Sequence, residues 1–211
     1  MKLIAITGAD ASGKDTQIGE LSKHFRAQGL QVAIVDIWDS FQDFIADSPR
    51  ESVGKILDGF LLRFEPDART LFLQSVLRNS FTKIPKIADL VLLNGYTYKY
   101  WATEAAYGAS ESLWKNRAEV FPEPDRVIYL KTPVETCLAR RAKWTAYESG
   151  AGRSVDDGGS FTLESFQRRT HERLDAILAS RKATVVDGGR DAALVQAELR
   201  VLVQSELGPS R

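Results

Sequence analysis

The stretch that decides the fold is LIAITGADASGKDTQ, residues 3–17. It begins with a short apolar run at 3–6, which is typical of a buried strand. After Thr7 the chain continues into a glycine-rich loop, GADASGKDT at 8–16, and this loop ends where a helix with an apolar stripe begins. Because strand, glycine turn and helix start come in this order, the pattern predicts a phosphate-binding loop rather than a chance glycine turn.

The chemistry of such a loop explains its residue types. Glycines let the backbone curl so that successive N–H groups point at phosphate oxygens, and the N-terminus of the helix adds partial positive charge. Lys14 would reach the outer phosphates as a flexible point charge. The strict pattern has Ser or Thr directly after the lysine, whereas this chain has Asp15 and only then Thr16. The candidate nucleotide-binding residues are Gly8, Ala9, Asp10, Ala11, Ser12, Gly13, Lys14, Asp15 and Thr16.

The rest of the chain alternates between strand and helix patterns. Further strands are expected at 31–37, 90–93, 126–130 and 183–186, and helices at 14–28, 66–83, 133–142, 162–181 and 192–207. In this pattern Thr132 and Pro133 are expected to be the N-cap and the first residue of their helix. Apolar strands separated by helices predict an α/β fold, a five-stranded parallel sheet with helices on both faces. We expect one domain over 1–211, with loop and short helices at 38–66 and a flexible glycine-rich lid at about 144–160.

The composition excludes several classes of protein. Lys+Arg and Asp+Glu both number 28, and a neutral chain is not expected to bind nucleic acid or an anionic membrane. One cysteine excludes an internal disulfide framework and a cysteine-based zinc site, and two histidines leave little for a histidine-rich metal site. Since no apolar run approaches about 18 residues, we expect no membrane span and a cytoplasmic protein.

Over nearly its whole length the chain resembles the thymidylate kinase family of P-loop nucleoside monophosphate kinases. The resemblance rests on the loop with its internal Asp10, on Leu71-Phe72, on 124–130 followed by Pro133 and Glu135, and on 166–169 (FQRR). Adenylate-kinase-like enzymes also place one residue before a Thr-Gln pair, so Thr16 of Thr16-Gln17 is expected to carry the magnesium-side hydroxyl. The resemblance implies ATP and Mg²⁺ as cofactors, a small-molecule nucleotide as substrate, and a homodimer of the kind that relatives commonly form.

The resemblance also implies roles for particular residues. Arg140 and Arg141 lie at the end of the helix where relatives place an arginine on the adenine, and we expect Arg141 to cover it. Phe72 would contact the acceptor base. Because Ala11 stands where some relatives carry a loop arginine, the cation over the transferring phosphate must come from elsewhere, and Arg153 in the lid is the candidate.

The departures from the family all fall on the acceptor side. The third strand of the family ends in an Asp-Arg pair and an aromatic, whereas this chain reads Asn94-Gly95-Tyr96. An arginine expected in the acceptor helix is Val76 here, although Arg69 and Arg78 are near enough to substitute. Residues 31–70 hold eight acids and four bases, and residues 126–182 hold eleven bases and seven acids. A basic donor side suits ATP, but an acidic acceptor side suits a doubly charged monophosphate poorly.

Three hypotheses therefore stay open at this point. In the first, the protein phosphorylates a nucleoside monophosphate, with dTMP the leading acceptor. In the second, the acceptor is a nucleoside or another alcohol, and Asp36 or Asp39 at the end of the second strand acts as general base. In the third, the chain binds nucleotide without catalysis. The aromatic segment at 96–101 (YTYKYW) could line the acceptor pocket through Tyr96 and Lys99, and Trp38 could form part of the same wall. The segment could equally be a packed helix start or a dimer surface.

Overall fold

The sheet follows the prediction from the sequence. The computed structural model describes residues 1–44, 57–115, 117–151 and 161–208. Its strands are β1 (Lys2–Thr7), β2 (Val32–Val35), β3 (Leu90–Asn94), β4 (Arg126–Lys131) and β5 (Thr184–Asp187). They form one five-stranded sheet in the order β2-β3-β1-β4-β5, and every paired neighbour is parallel.

Helices connect and cover these strands. They are α1 (Lys14–Ala27), α2 (Ile37–Phe44), α3 (57–61), α4 (Pro66–Ser80), α5 (Tyr96–Ala106), α6 (Arg117–Val120), α7 (Val134–Arg140), α8 (Leu163–Ala179) and α9 (Ala192–Leu207). Short 3₁₀ turns follow α4 at Phe81–Lys83 and α5 at Glu111–Trp114. Within the described residues, no helix combines the length and the apolar character needed to cross a membrane.

Both faces of the sheet are buried, which explains why its strands read as apolar runs rather than alternating patterns. On one face, α1 and α9 pack against β1 through a core that includes Ile4, Ile18 and Leu199. On the other face, α4, α5 and α8 form the larger core around Val91 and Leu93. The prediction of helices on both faces is confirmed.

Some helix ends differ from the predictions. Pro133 is the N-cap of α7, one position later than expected, and the hydroxyl of Thr132 instead donates to the Ser12 carbonyl at 3.0 Å. The helix also stops at Arg140, because Arg141 has an extended backbone with φ −134° and ψ 115°. This early stop sends the two arginine side chains in different directions. By contrast, Thr162 caps α8 in a capping box with Ser165, as expected for its N-terminus.

The topology brings the functional segments to one edge of the sheet. β1 lies between β3 and β4, so the residues that follow β1, β2 and β3 meet at the carboxyl end of the sheet. Ligands of open α/β sheets bind at this edge. Of the predicted lid at 144–160, the structure describes 144–151, which contain a turn at 146–150 that we call the lid turn.

Candidate active site

The phosphate loop has the backbone shape that its sequence predicts. A Cβ at Gly8 would lie 2.6 Å from Ser12 Oγ and 2.8 Å from the Leu130 carbonyl oxygen, so only glycine fits there. Ala11 and Gly13 both have positive φ, 59° and 96°, and Gly13 is the N-cap of α1. Left-handed residues alternating with right-handed ones make a concave nest of backbone N–H groups, the shape that holds an anion.

Contacts from the neighbouring elements hold the loop from outside. The Ser12 carbonyl accepts hydrogen bonds from Thr132 Oγ1 at 3.0 Å and from Arg140 Nη1 at 3.1 Å. The second terminal nitrogen of Arg140 donates to the Gly188 carbonyl at 3.0 Å. Since its guanidinium is bound to two backbone carbonyls, Arg140 lies against the outside of the loop and braces it.

The donor set of the loop fits the phosphates of a nucleotide. The side chain of Lys14 is buried, and its Nζ donates to the Ala9 carbonyl at 3.3 Å, within the curl of the loop. The first turn of α1 has N–H groups with no intrahelical partner and carries the positive end of the helix dipole. Asp15 and Thr16 lie exposed on this turn, where they could contact the water shell of a magnesium ion that arrives with the nucleotide. Among the described residues, no group of three or more acidic, histidine or cysteine side chains could hold a metal by itself.

A buried ion pair joins the loop to α5. Lys99 Nζ lies 2.8 Å from Asp10 Oδ1, and both side chains are almost fully buried. Burial opposes charge on both groups, but their mutual attraction outweighs it. The pKa of Asp10 is therefore lowered, with a contribution from Lys14, and the pKa of Lys99 is raised. Both groups are ionised at neutral pH.

Asn94 connects two carboxylates at the end of β3. Its Nδ2 donates to Asp15 Oδ1 at 2.7 Å and to Asp36 Oδ2 at 2.9 Å. Asp36 also accepts the Trp38 backbone N–H at 3.0 Å. Burial raises the pKa of Asp36, and these two hydrogen bonds offset only part of that effect. The amide therefore lies between two acids that would repel each other without it.

A cavity of about 670 Å³ opens beside the loop, and it brings together six of the residues predicted from the sequence. Those six are Asp15, Asp36, Trp38, Asp39, Lys99 and Arg141. Among the described residues, the cations on its wall are Lys99 and Arg141, and Arg141 pairs with Glu148 at 2.8 Å. Arg141, which we expect at the adenine, lies on the wall of this cavity, and its contact with the adenine stays a prediction.

Two predicted substrate contacts do not line the cavity. Tyr96 is 2% exposed, and its hydroxyl donates to the Pro122 carbonyl, because Tyr96 lies at the buried first turn of α5. The neighbouring positions Lys99 and Tyr100 reach the cavity instead. Phe72 packs in an aromatic cluster, stacked on Phe64 with ring centroids 5.7 Å apart. The next residue on α4, Leu73, takes the place on the cavity wall. The predicted cation Arg153 lies outside the described residues.

Arg69 could have substituted for the arginine that is missing from the acceptor helix, but its side chain is bound inside the protein. Its Nε contacts both carboxylate oxygens of Glu104 at 2.9 Å, and the pair is 2% and 0% exposed. The Tyr147 hydroxyl donates to the same carboxylate at 2.6 Å. The guanidinium also lies 4.3 Å from the centre of the Tyr107 ring. Arg69 thus holds α4, α5 and the lid turn together and does not reach the cavity.

The sequence did not reveal the residues by which the lid turn is attached. Tyr147 and Glu148 line the cavity, and Asp58 accepts the backbone N–H groups of Ala146 and Tyr147 at 2.9 and 2.7 Å. The sequence holds one local signal for this turn, because Glu148 follows Thr145 by three residues, which is the spacing of a capping box. Both capping hydrogen bonds form: the Thr145 N–H donates to the Glu148 carboxylate, and the Glu148 N–H donates to Thr145 Oγ1. No pattern pointed to Asp58, which is 88 residues from Ala146.

The predicted homodimer stays a prediction.

Comparison with known proteins gives the family. No protein-family model matches the chain. It is 32% identical over 142 residues to Probable thymidylate kinase 1 of Saccharolobus solfataricus, a match that covers 66% of this chain and 69% of that protein. It is 28% identical over 160 residues to the thymidylate kinase of Akkermansia muciniphila, covering 72% and 73% of the two chains. Together with the parallel sheet and the phosphate loop, these matches show that the chain belongs to the thymidylate kinase family of nucleoside monophosphate kinases.

Proposed function

We propose that this protein transfers the γ-phosphoryl group of ATP to a nucleoside monophosphate, and that dTMP is the first acceptor to test. The observation that carries the proposal is the position of the phosphate loop beside the 670 Å³ cavity, whose wall includes Asp15 from the start of α1 and Lys99. A triphosphate held by the loop would present its last phosphate to a molecule in the cavity. The printed names of both relatives, thymidylate kinases, support dTMP.

Each residue near the loop has a role in this proposal. The loop amides and Lys14 bind the phosphates of ATP, and the Thr16 hydroxyl would face Mg²⁺, which supplies charge neutralisation when bound. Arg140 braces the donor side, where Ser12 and Gly188 accept its hydrogen bonds. Arg141 covers the adenine, as the resemblance to the family implies, and Arg153 adds a cation as the lid at 144–160 closes. Since a monophosphate is already ionised, no general base is needed, and the site works by positioning and charge neutralisation.

The acceptor would lie between polar and aromatic walls. Trp38, Phe41, Tyr100 and Tyr147 line the cavity and offer ring faces to a base, whereas Asp36 and Asp39 line it near β2. The proposed acceptor contacts are therefore Trp38 and Lys99 on the cavity wall, together with Tyr100 and Tyr147, which the sequence did not single out. Phe72 supports this wall from behind, since its ring lies 5.9 Å from that of Phe41.

A coupled assay of ADP release tests the proposal. Wild-type protein with ATP and Mg²⁺ is offered each common ribo- and deoxynucleoside monophosphate, with the matching nucleosides in parallel. We expect turnover with a monophosphate, fastest with dTMP. Lys14→Met should lower kcat by about 10²-fold or more, whereas Lys23→Met, an exposed lysine on the same helix, serves as its matched control. Absence of turnover with every monophosphate would overturn the proposal.

A second candidate function, phosphoryl transfer to a hydroxyl group, is favoured by the acids of the cavity. Asp15, Asp36, Asp39, Asp58 and Glu148 line it. A hydroxyl acceptor gains from a carboxylate that takes its proton, and burial raises the pKa of Asp36, which makes its carboxylate more basic than a free aspartate. If this function holds, nucleosides react in the same assay, and Asp36→Asn or Asp39→Asn lowers their turnover by about 10²-fold. An unchanged rate in both variants removes the base role.

A further inference from the structure

The side chain of Lys99 takes an unusual path into the site. Lys99 lies one turn into α5, and its stem runs over the backbone of Gly95, where an added Cβ would lie 3.3 Å from Lys99 Cβ and 3.4 Å from Lys99 Cδ. The same Cβ would be 3.8 Å from Lys14 Cε. Because position 95 has no side chain, the stems of two lysines converge at the end of β3.

Four charged side chains meet at this point. Asp10 interacts electrostatically with both Lys99 and Lys14, and Asp15 on the first turn of α1 interacts with the same two lysines. The two ammonium groups balance the two carboxylates. A transferring phosphoryl group brings negative charge of its own to the place where the two lysines converge, and it would compete with Asp10 for the Lys99 ammonium.

Arg141 is the other cation among the described residues that line the cavity, and its ion-pair partner belongs to the lid turn. Arg141 pairs with Glu148, whose backbone carbonyl in turn accepts a hydrogen bond from Gln167 at 2.7 Å. This arrangement ties Arg141 to the lid turn. The ammonium of Lys99, by contrast, lies between the loop and the cavity, at the boundary that a transferring phosphoryl group must cross.

We propose that Lys99 is a catalytic residue, whose ammonium leaves Asp10 and contacts the transferring phosphoryl group from the cavity side while Lys14 contacts it from the loop side. The inference rests on the proposed kinase function. In the transfer, the bond from the terminal phosphorus to the ADP oxygen breaks and a bond to the acceptor oxygen forms. Lys99 keeps its proton throughout and acts by its charge alone.

A double-mutant cycle with Asp10 separates this role from simple neutralisation of Asp10. The four proteins are wild type, Lys99→Met, Asp10→Asn and the double variant, and each is measured for kcat and for its affinities for ATP and for ADP. In the Asp10→Asn background Lys99 has lost the carboxylate with which it forms its ion pair. Adding Lys99→Met there should still lower kcat by about 10²-fold and lower the ratio of ATP to ADP affinity by about 10-fold. Lys131→Met is the matched control, because Lys131 also pairs with an aspartate at 2.8 Å but lies on the surface.

The outcomes are distinguishable from those of the kinase proposal. If Lys99→Met changes neither kcat nor the affinity ratio once Asp10 is asparagine, Lys99 only neutralises Asp10 and the inference is overturned. If the wild type turns over no monophosphate, the kinase proposal fails. The affinity ratio still tests Lys99 in that case, since ATP and ADP binding requires no acceptor.

Discussion

Asp58 binds the lid turn through the backbone of Tyr147, whose N–H donates to Asp58 Oδ1 at 2.7 Å. The other carboxylate oxygen accepts from Ala146 at 2.9 Å. Asp58 belongs to α3, whereas Tyr147 follows α7, the helix whose Arg140 braces the phosphate loop. One side chain therefore couples the two walls between which a phosphoryl group would pass.

Asp58→Ala tests this coupling. The variant leaves two N–H groups without their acceptor, so we expect the free energy of unfolding to fall by about 1–2 kcal/mol and the KM for the acceptor to rise by about 10-fold, because Tyr147 lines the cavity. Asp67→Ala is the matched control, since Asp67 accepts the Ser110 backbone N–H at 2.7 Å away from the cavity. An acceptor KM that changes equally in both variants would contradict the coupling. Urea unfolding and steady-state kinetics measure the two effects.

The buried pair Arg69–Glu104 should matter to stability. Arg69→Met leaves an unpaired carboxylate that is 0% exposed, and we expect the free energy of unfolding to fall by about 3–5 kcal/mol. The double variant Arg69→Met/Glu104→Gln removes the uncompensated charge and should recover part of the loss. Urea unfolding at pH 7 gives both values. The exposed pair Lys131–Asp175 is the control, where loss of the lysine should cost at most about 1 kcal/mol.

Gly8 and Gly19 make a matched pair of alanine substitutions. At Gly8 a Cβ would meet the Leu130 carbonyl oxygen at 2.8 Å, so Gly8→Ala must shift the loop and should weaken ATP binding by about 10-fold or more. At Gly19, within α1, nothing lies within 4 Å of an added Cβ. Gly19→Ala should therefore raise the free energy of unfolding by about 0.5–1 kcal/mol. Calorimetric ATP titration and thermal unfolding measure the two effects, and unimpaired ATP binding by Gly8→Ala would refute the close contact.

Cys137 should be unreactive in the folded protein. Its side chain is 0% exposed, and burial raises the pKa of its thiol to about 11, despite the nearby positive charges of Arg140 and Lys14. Since the thiolate is the reactive form, a thiol reagent at pH 8 should label Cys137 only as the protein unfolds. Labelling is followed with and without urea. Rapid labelling without urea would show that the helix face around Cys137 opens.

Much of the fold could be predicted because it depends on neighbouring residues. The apolar run before the loop and the cap of α8 at Thr162 are local signals, and each element forms where its signal lies. The end of α7 could not be predicted to the residue. Arg140 is bound by carbonyls of two other segments, those of Ser12 and Gly188, and no property of the helix sequence contains those contacts.

In the candidate site, too, the features that depend on neighbouring residues could be predicted, and those that depend on tertiary contacts could not. The loop at 8–16 was found from its own residues, and Asp36, Trp38 and Asp39 from their position after β2. Tyr96 and Phe72 were placed in the right segments, but which neighbour faces the cavity depends on how α4 and α5 turn against the sheet. Successive residues of an α-helix are rotated by about 100° around its axis, so Leu73 lines the cavity whereas its neighbour Phe72 does not.

The sequence by itself determined the parallel sheet, the phosphate loop and the resemblance to the thymidylate kinase family, because these depend on apolar periodicity and on residues adjacent in the chain. Only the tertiary structure decided that Lys99 pairs with Asp10, that Asn94 links Asp15 to Asp36, and that Arg69 is buried against Glu104. Each of these contacts joins residues from different elements. The balance of charges and hydrogen bonds in these contacts exists only once the sheet brings the carboxyl ends of its strands together, which is why the contacts had to be learned from the folded chain.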